Sequence, residues 1–133
     1  MEKKIKVVAV DDDEAIVDMY KTGLLEFDVI VFDEPKKAKE YLENIKENEI
    51  PDIILMDIMM PHLDGITFIR DIKSNERLGK VPVVAVSGLS DAATLNDALL
   101  FGAVDYVIKP FDITDLADRI KRITSKYPVK DRE

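Results

Sequence analysis

The sequence predicts an α/β fold in which five β-strands alternate with five α-helices around one parallel sheet. Five short apolar runs recur along the chain, and most of them are rich in the β-branched residues typical of strands buried on both faces. Longer segments with apolar residues at helical spacing separate these runs. Strict alternation of strands and helices requires crossover connections, which place helices on both faces of a parallel sheet.

The predicted strands are short, and the first of them lies close to the start of the sequence. Its sequence, IKVVAV, follows basic residues and could be mistaken for part of a signal peptide. Four acidic residues follow it directly, however, and no small-residue cleavage site is present, so a strand fits better. The five predicted strands span Ile5–Val10, Val29–Phe32, Ile53–Met56, Val81–Val86 and Tyr106–Ile108.

The predicted helices carry an apolar stripe and, in two cases, a boundary signal. Pro35 stands in the first turn of the second helix, where proline is tolerated, and Gly102 follows the fourth helix as a stop signal. The fifth helix has charged residues opposite its apolar stripe. The predicted helices span Glu14–Glu26, Pro35–Asn48, Asp64–Ser74, Asp91–Phe101 and Asp112–Lys126.

The composition bounds the classes of function. The length of 133 residues suits one domain, predicted over residues 1–124, with a polar tail or the start of a linker over residues 125–133. The absence of cysteine excludes disulfides and thiol catalysis and is compatible with the cytoplasm, while the single histidine, His62, excludes a multi-histidine site. The net charge of −8 argues against nonspecific nucleic-acid binding, and no apolar stretch is long enough to span a membrane.

Polar side chains follow four of the predicted strands, at the sheet edge where ligands of parallel α/β folds bind. Asp11 and Asp12 follow the first strand, Asp57 the third, Ser87 the fourth and Lys109 the fifth. Crowded carboxylates repel one another unless a cation neutralises them, and an all-oxygen ligand set favours Mg²⁺. A carboxylate nucleophile, a metal, an ammonium and a hydroxyl are together the components needed for phosphoryl transfer.

Four motifs, VVAVDDDE, DIILMDIMMPHLDG, VPVVAVSG and GAVDYVIKPF, occur in this order, each at the end of a predicted strand. With them, the chain from Lys4 to about Thr124 resembles the receiver domain of two-component response regulators, in particular the chemotaxis regulators. The resemblance implies a flavodoxin-like (βα)5 fold with strand order 2-1-3-4-5, which makes the first and third strands neighbours and brings their carboxylates together.

The resemblance also implies a phosphorylation site with a bound metal. Asp57 would accept phosphate from a phosphohistidine on a sensor histidine kinase or a histidine phosphotransfer protein. Mg²⁺ would be held by Asp12 directly, by Asp11 through water, by Asp57 and by the backbone carbonyl of Met59. The chain would not be an enzyme acting on other substrates, because only self-phosphotransfer and autodephosphorylation are implied.

Four further residues match positions around the phosphate in such domains. Lys109 would pair with the phosphoryl group, and Ser87 would hydrogen-bond to it and report its presence. Tyr106 would be the switch aromatic that turns inward when Ser87 moves. The peptide bond between Lys109 and Pro110 would be cis.

The implied output is a change in protein interactions, with no membrane or nucleic acid bound by this domain. Phosphorylation would shift a two-state equilibrium. The signal would be read on the surface formed by the fourth helix, the fifth strand and the fifth helix, where a homodimer or an output partner would form. The first helix, around Ile16–Leu24, would meet the phosphodonor, and the relay would be cytoplasmic.

Two alternatives remain open from the residues alone. A haloacid-dehalogenase-like phosphatase would use Asp11 as its nucleophile with Asp13 two residues on, but it would leave Asp57 unexplained. A pseudo-receiver would serve only as a docking module, although the full set of Asp57, Ser87 and Lys109 argues against it. Phosphorylation that requires Mg²⁺ and Asp57 separates the two alternatives from the receiver interpretation.

Overall fold

A five-stranded parallel sheet forms the centre of the molecule. The structure, a computed structural model, describes residues 4–60, 63–88 and 92–129. The strands are β1 (Lys6–Val10), β2 (Asp28–Phe32), β3 (Ile53–Asp57), β4 (Val83–Ser87) and β5 (Asp105–Ile108). The helices are α1 (Glu14–Gly23), α2 (Pro35–Asn44), α3 (Gly65–Ser74), α4 (Ala92–Leu100) and α5 (Ile113–Lys126). The strand order is β2-β1-β3-β4-β5, which confirms the predicted fold.

The helices cover both faces of the sheet and enclose two apolar clusters. Helices α2, α3 and α4 pack on one face, and α1 and α5 pack on the other. Successive residues of β1 alternate between the layers: Val8 and Val10 face α2 to α4, whereas Val7 and Ala9 face α1 and α5. The strands β3 and β4 are buried along their whole length, as their unbroken apolar runs predicted.

Aspartates cap the two helices of the α1/α5 layer. The Asp13 side chain accepts the Ala15 N–H at 2.9 Å, and α1 begins at the following residue. The Asp112 side chain accepts the N–H groups of Thr114 and Asp115 at 2.8 and 3.2 Å. Caps of this kind satisfy amides that have no partner within the helix, each contributing about 1 kcal/mol.

Two helices end several residues earlier than the sequence pattern indicated, and α4 ends one residue earlier, at Leu100 instead of Phe101. Helix α1 ends at Gly23 instead of Glu26, because Leu24 leaves the helical conformation while its N–H still bonds the Tyr20 carbonyl. Gly23 also lies against Ile113 of α5: a Cβ atom at position 23 would come within 2.6 Å of Ile113 Cγ1. Helix α2 ends at Asn44 instead of Asn48 and is followed by a short 3-10 turn, Glu47–Glu49.

Smaller differences concern β4 and the loop after β3. The fourth strand begins two residues later than predicted, because the Val81 N–H bonds the Leu78 carbonyl and Pro82 has no N–H to donate. It extends through Ser87. An antiparallel ladder of two residues on each side, Met59–Met60 with Leu63–Asp64, follows β3 and was not predicted. Asp91, the predicted start of the fourth helix, lies outside the described residues.

After α5 the chain turns toward the opposite layer. The helix continues through Lys126, two residues beyond the predicted domain boundary. Val129 packs against the cluster under α2 to α4, although α5 itself belongs to the other layer. Residues 130–133 of the predicted tail lie outside the described part of the chain. None of the described helices is both long and apolar enough to cross a membrane.

Arg77, in the loop between α3 and β4, secures the end of α2. Its guanidinium donates to the Glu47 carboxylate at 2.8 Å, to the Glu43 carbonyl at 3.4 Å and to the Ile45 carbonyl. The last carbonyls of a helix have no partner within the helix, so this one side chain substitutes for a helix cap and joins two loops.

We expect Arg77→Met to lower the free energy of unfolding by about 2 kcal/mol, because hydrogen bonds from a charged donor are lost at the end of α2. Urea unfolding followed by circular dichroism measures this. Arg122→Met is the control, because Arg122 is exposed on α5. Equal stability of the two variants would contradict the assigned role of Arg77.

Candidate functional site

The register of the sheet brings the polar strand ends to one level. Val10 pairs with Met56, so Asp11 and Asp57, the residues that follow them, stand side by side at the carboxyl edge. On the other side of β3, Asp57 pairs with Val86, which places Ser87 one residue beyond it. Ser87 pairs in turn with Ile108, the residue before Lys109.

Three carboxylates meet at this edge. Asp11 is fully buried and Asp57 is 3% exposed, whereas Asp12 is exposed. One carboxylate oxygen from each of the three lies within 4.8 Å of the others. Ionised carboxylates at this separation repel each other strongly when buried, so the arrangement requires a nearby positive charge.

Lys109 provides that charge within the protein. Its Nζ atom lies 2.8 Å from Asp11 Oδ2 and donates a hydrogen bond to Asp57 Oδ2 at 3.3 Å. Burial lowers the pKa of Lys109, but the contacts with Asp11 and Asp57 raise it by more than burial lowers it, so the pKa lies above its usual value. The Lys109 N–H donates to the Ser87 carbonyl at 2.7 Å, and the peptide bond to Pro110 is cis.

Asp11 has one carboxylate oxygen that is incompletely satisfied. Its Oδ1 accepts the Asp13 N–H at 2.9 Å, whereas Oδ2 is buried and accepts no hydrogen bond from the described residues. The contact of Oδ2 with Lys109 is an ion pair without hydrogen-bond geometry. Burial raises the pKa of Asp11 to about 6, opposed by Lys109 and the Asp13 amide and reinforced by the charge of Asp57. Such an oxygen beside other carboxylates suits a hard divalent cation.

The remaining predicted site residues lie near this edge or on β5. Ser87 is fully buried at the end of β4. Tyr106, on β5, is half-buried and packs against the cluster under α2 to α4. Met59 begins the short ladder two residues after Asp57, which keeps its backbone close to the carboxyl edge. His62 lies outside the described residues.

Tyr20 and Phe111 border the site, and sequence reasoning assigned a site role to neither. Tyr20, on α1, is 1% exposed, and its ring stacks on Phe111 with centroids 6.1 Å apart and planes inclined by 16°. Burial, and secondarily the charges of Asp11 and Asp57, raise the pKa of Tyr20 above its usual value. In sequence, Tyr20 was one member of an apolar helical stripe, so only its hydroxyl distinguished it.

Gly65 permits the chain to pass close behind Asp57. A Cβ atom at position 65 would lie 2.4 Å from Ile58 Cα and 2.9 Å from the Asp57 carbonyl oxygen. Both neighbours are backbone atoms, so no side-chain rotation can make room. Gly65 is the first residue of α3, and its small size fixes that helix against the end of β3.

Comparisons of sequence connect this geometry to known proteins. The sequence model of a family described as the response regulator receiver domain matches residues 7–121. The chain is 34% identical over 125 residues to a probable transcriptional regulator, ycf27, of Guillardia theta, and the match covers 92% of this chain and 46% of that protein. The curated relatives are longer: the chain spans between 26% and 59% of the lengths of four of them.

Solved structures share the fold over almost their whole length. The signal receiver domain of a signal transduction histidine kinase from Syntrophus aciditrophicus superposes with a TM-score of 0.80 at 28% identity, covering 96% of this chain and 94% of that one. The receiver domain of the sensor histidine kinase PA1611 from Pseudomonas aeruginosa PAO1, solved with a magnesium ion coordinated in its active site cleft, gives a TM-score of 0.80 at 25% identity, covering 93% of this chain and 99% of that one.

We expect Gly65→Ala to destabilise the domain by about 1–3 kcal/mol, because the added methyl group overlaps backbone atoms at the end of β3. Thermal unfolding measures the loss. Gly88→Ala is the matched control, since a Cβ atom at position 88 would meet no atom of the other described residues within 4 Å. Comparable melting temperatures for the two variants would show that the space behind Asp57 is not restricted.

Proposed function

This chain belongs to the response regulator receiver domain family, and from this premise we propose that it is a phosphorylation-controlled switch whose phosphoacceptor is Asp57. The observation that supports the proposal best is the bridge from Lys109 Nζ to Asp11 and Asp57. A lysine held between two buried carboxylates can stabilise negative charge added at either of them. Family membership argues against the phosphatase alternative. The docking-only alternative predicts that the protein takes up no phosphate.

The proposed phosphodonor is a phosphohistidine on a sensor histidine kinase or a histidine phosphotransfer protein. A carboxylate oxygen of Asp57 attacks phosphorus, the bond between phosphorus and the imidazole nitrogen breaks, and that nitrogen takes up a proton. The product is an aspartyl phosphate, a mixed anhydride. We assign Lys109 to neutralise a phosphoryl oxygen and the Ser87 hydroxyl to hydrogen-bond to another, because Ser87 ends β4 and Lys109 directly follows β5 at this level of the sheet.

The carboxylate cluster fits Mg²⁺. The buried Asp11 Oδ2, which accepts no hydrogen bond from the described residues, is a polar atom that a cation would satisfy. We propose that Asp11, Asp12, Asp57 and the backbone carbonyl of Met59 hold Mg²⁺, the ion that PA1611 binds in its cleft. When bound, Mg²⁺ would neutralise charge on the phosphoryl group.

The proposed readout surface is formed by α4, β5 and α5. We propose that Ser87 and Tyr106 connect the phosphate to it. Arg119 of α5 donates to the Asp105 carboxylate at 2.7 Å and holds β5 to α5. The surface also exposes apolar side chains that a homodimer or an output partner could cover: Leu99, Leu100, Phe101 and Ile108. The relay itself is proposed to be cytoplasmic.

We expect wild-type protein incubated with acetyl phosphate and Mg²⁺ to gain one phosphoryl group, and Asp57→Asn to gain none. Intact mass spectrometry measures the gain, and omission of Mg²⁺ is expected to prevent it. Release of free phosphate that persists in Asp57→Asn would favour a phosphatase. If neither protein reacts, the domain is a docking module.

We expect Lys109→Met to bind Mg²⁺ roughly tenfold more tightly than wild type, because the ammonium no longer competes for the carboxylates of Asp11 and Asp57. The variant should also accept phosphate more slowly, since the cation that stabilises the transferring group is lost. Isothermal titration calorimetry and phosphorylation rates measure these effects. Lys37→Met is the control, because Lys37 pairs only with exposed acids among the described residues. Weaker Mg²⁺ binding by Lys109→Met would contradict this competition.

A further inference from the structure

The turn that carries Lys109 is held at both ends. On one side, the Lys109 N–H donates to the Ser87 carbonyl at 2.7 Å. On the other side, the chain enters α5 through the Asp112 cap. Between these anchors lies Phe111, which packs against the apolar layer of α1 and α5.

Tyr20 holds the middle of this turn from the neighbouring helix. Its ring stacks on Phe111, and at 1% exposure it is among the largest fully buried side chains. One turn further along, Gly23 lies against Ile113, so α1 follows the chain from the turn into α5. At its other end, α1 is capped by Asp13, whose N–H binds Asp11 Oδ1. The ion pair between Asp11 and Lys109 is therefore contacted at both partners: the residue that caps α1 binds Asp11, and α1 itself packs against the turn that carries Lys109.

We propose that Tyr20 is a positioning residue: by stacking on Phe111, its ring holds the 109–111 turn so that Lys109 Nζ reaches Asp11 and Asp57 together. The role in phosphotransfer rests on the proposed function. The lysine side chain is long and loses considerable rotamer freedom when it is fixed. Whether Nζ reaches both carboxylates therefore depends on the position of the Lys109 backbone. Misplacement of a catalytic group by about 1 Å can cost as much as a hundredfold in rate.

The aromatic ring of Tyr20, and not its hydroxyl, makes the contact that holds Phe111 in place. A stacked contact with centroids 6.1 Å apart needs an aromatic face, which phenylalanine also provides. Leucine fills much of the volume but offers no face for Phe111. Tyr20→Leu therefore removes the stack, whereas Tyr20→Phe keeps it.

Phe27→Leu is the matched control. Phe27 is 5% exposed and belongs to the same apolar cluster as Tyr20. It precedes Asp28, which pairs with Lys6 at the amino-terminal edge of the sheet, opposite the carboxylates. The control therefore exchanges a buried aromatic ring for leucine in the same layer and leaves the turn at Lys109 untouched.

The experiment compares wild type, Tyr20→Leu, Tyr20→Phe and Phe27→Leu in two assays. The first is the rate of Asp57 phosphorylation by acetyl phosphate at saturating Mg²⁺. The second is the dissociation constant of Mg²⁺ from isothermal titration calorimetry. We expect Tyr20→Leu to be phosphorylated roughly tenfold more slowly while Mg²⁺ binding is unchanged or tighter. Tyr20→Phe should restore the rate, and Phe27→Leu should match wild type.

Several results would overturn the proposal. A rate for Tyr20→Leu equal to that of Phe27→Leu would show that the stack does not position Lys109. If Tyr20→Leu loses both phosphorylation rate and Mg²⁺ affinity, the substitution has loosened the fold in general. If Tyr20→Phe is also phosphorylated slowly, the ring face is not what positions Lys109. If Tyr20→Leu does not fold, Phe111→Leu removes the same stack from its less buried side and is expected to give the same pair of effects.

Failure of the proposed function can be distinguished from failure of this inference. If wild type itself takes up no phosphate, the phosphoacceptor role is refuted. The position of Lys109 is then measured directly from the ¹H–¹⁵N signal of its ammonium group. That signal should be protected from solvent exchange in wild type and Phe27→Leu and lost in Tyr20→Leu. Retention of the signal in Tyr20→Leu would refute the positioning role.

Discussion

The ion pairs between Lys109 and the buried carboxylates of Asp11 and Asp57 are the constraint on which this structure depends. Two negative charges cannot be buried side by side without a counter-charge. Lys109, which is distant in sequence from both aspartates, supplies it. The lysine reaches them only because β1, β3, β4 and β5 end at nearly the same level. The order and register of the strands are therefore conditions for the electrostatics of the site.

The elements around the site serve this arrangement in different ways. Gly65 allows α3 to begin directly behind Asp57. The Asp13 amide orients Asp11 and at the same time belongs to the residue that caps α1. On the opposite side, the Ser87 carbonyl accepts the Lys109 amide, so the two residues assigned to a phosphoryl group are already tied together through the backbone. Stability and site geometry share the same hydrogen bonds.

Much of the fold and of the candidate site could be predicted from the sequence, because the alternation of strands and helices follows from local rules and the strand order follows from the resemblance to receiver domains. Buried parallel strands read as apolar runs, and polar residues after such runs gather at one edge, which brought Asp11, Asp57 and Lys109 together. The residues that escaped prediction depend on tertiary contacts between distant segments. Arg77 ends α2 from another loop, and Tyr20 meets Phe111 across a large separation in sequence. The ladder at Met59–Met60 is too short to have a periodicity.

The contact between Gly23 and Ile113 has a consequence for how this sequence can evolve. A Cβ atom at position 23 would overlap the Cγ1 atom of Ile113, so the two positions are not free to vary independently. A route to a larger residue at 23 must first pass through a smaller residue at 113, and the reverse order leads through an overpacked intermediate. The order in which mutations arise, and not only their final combination, therefore determines which sequences are accessible.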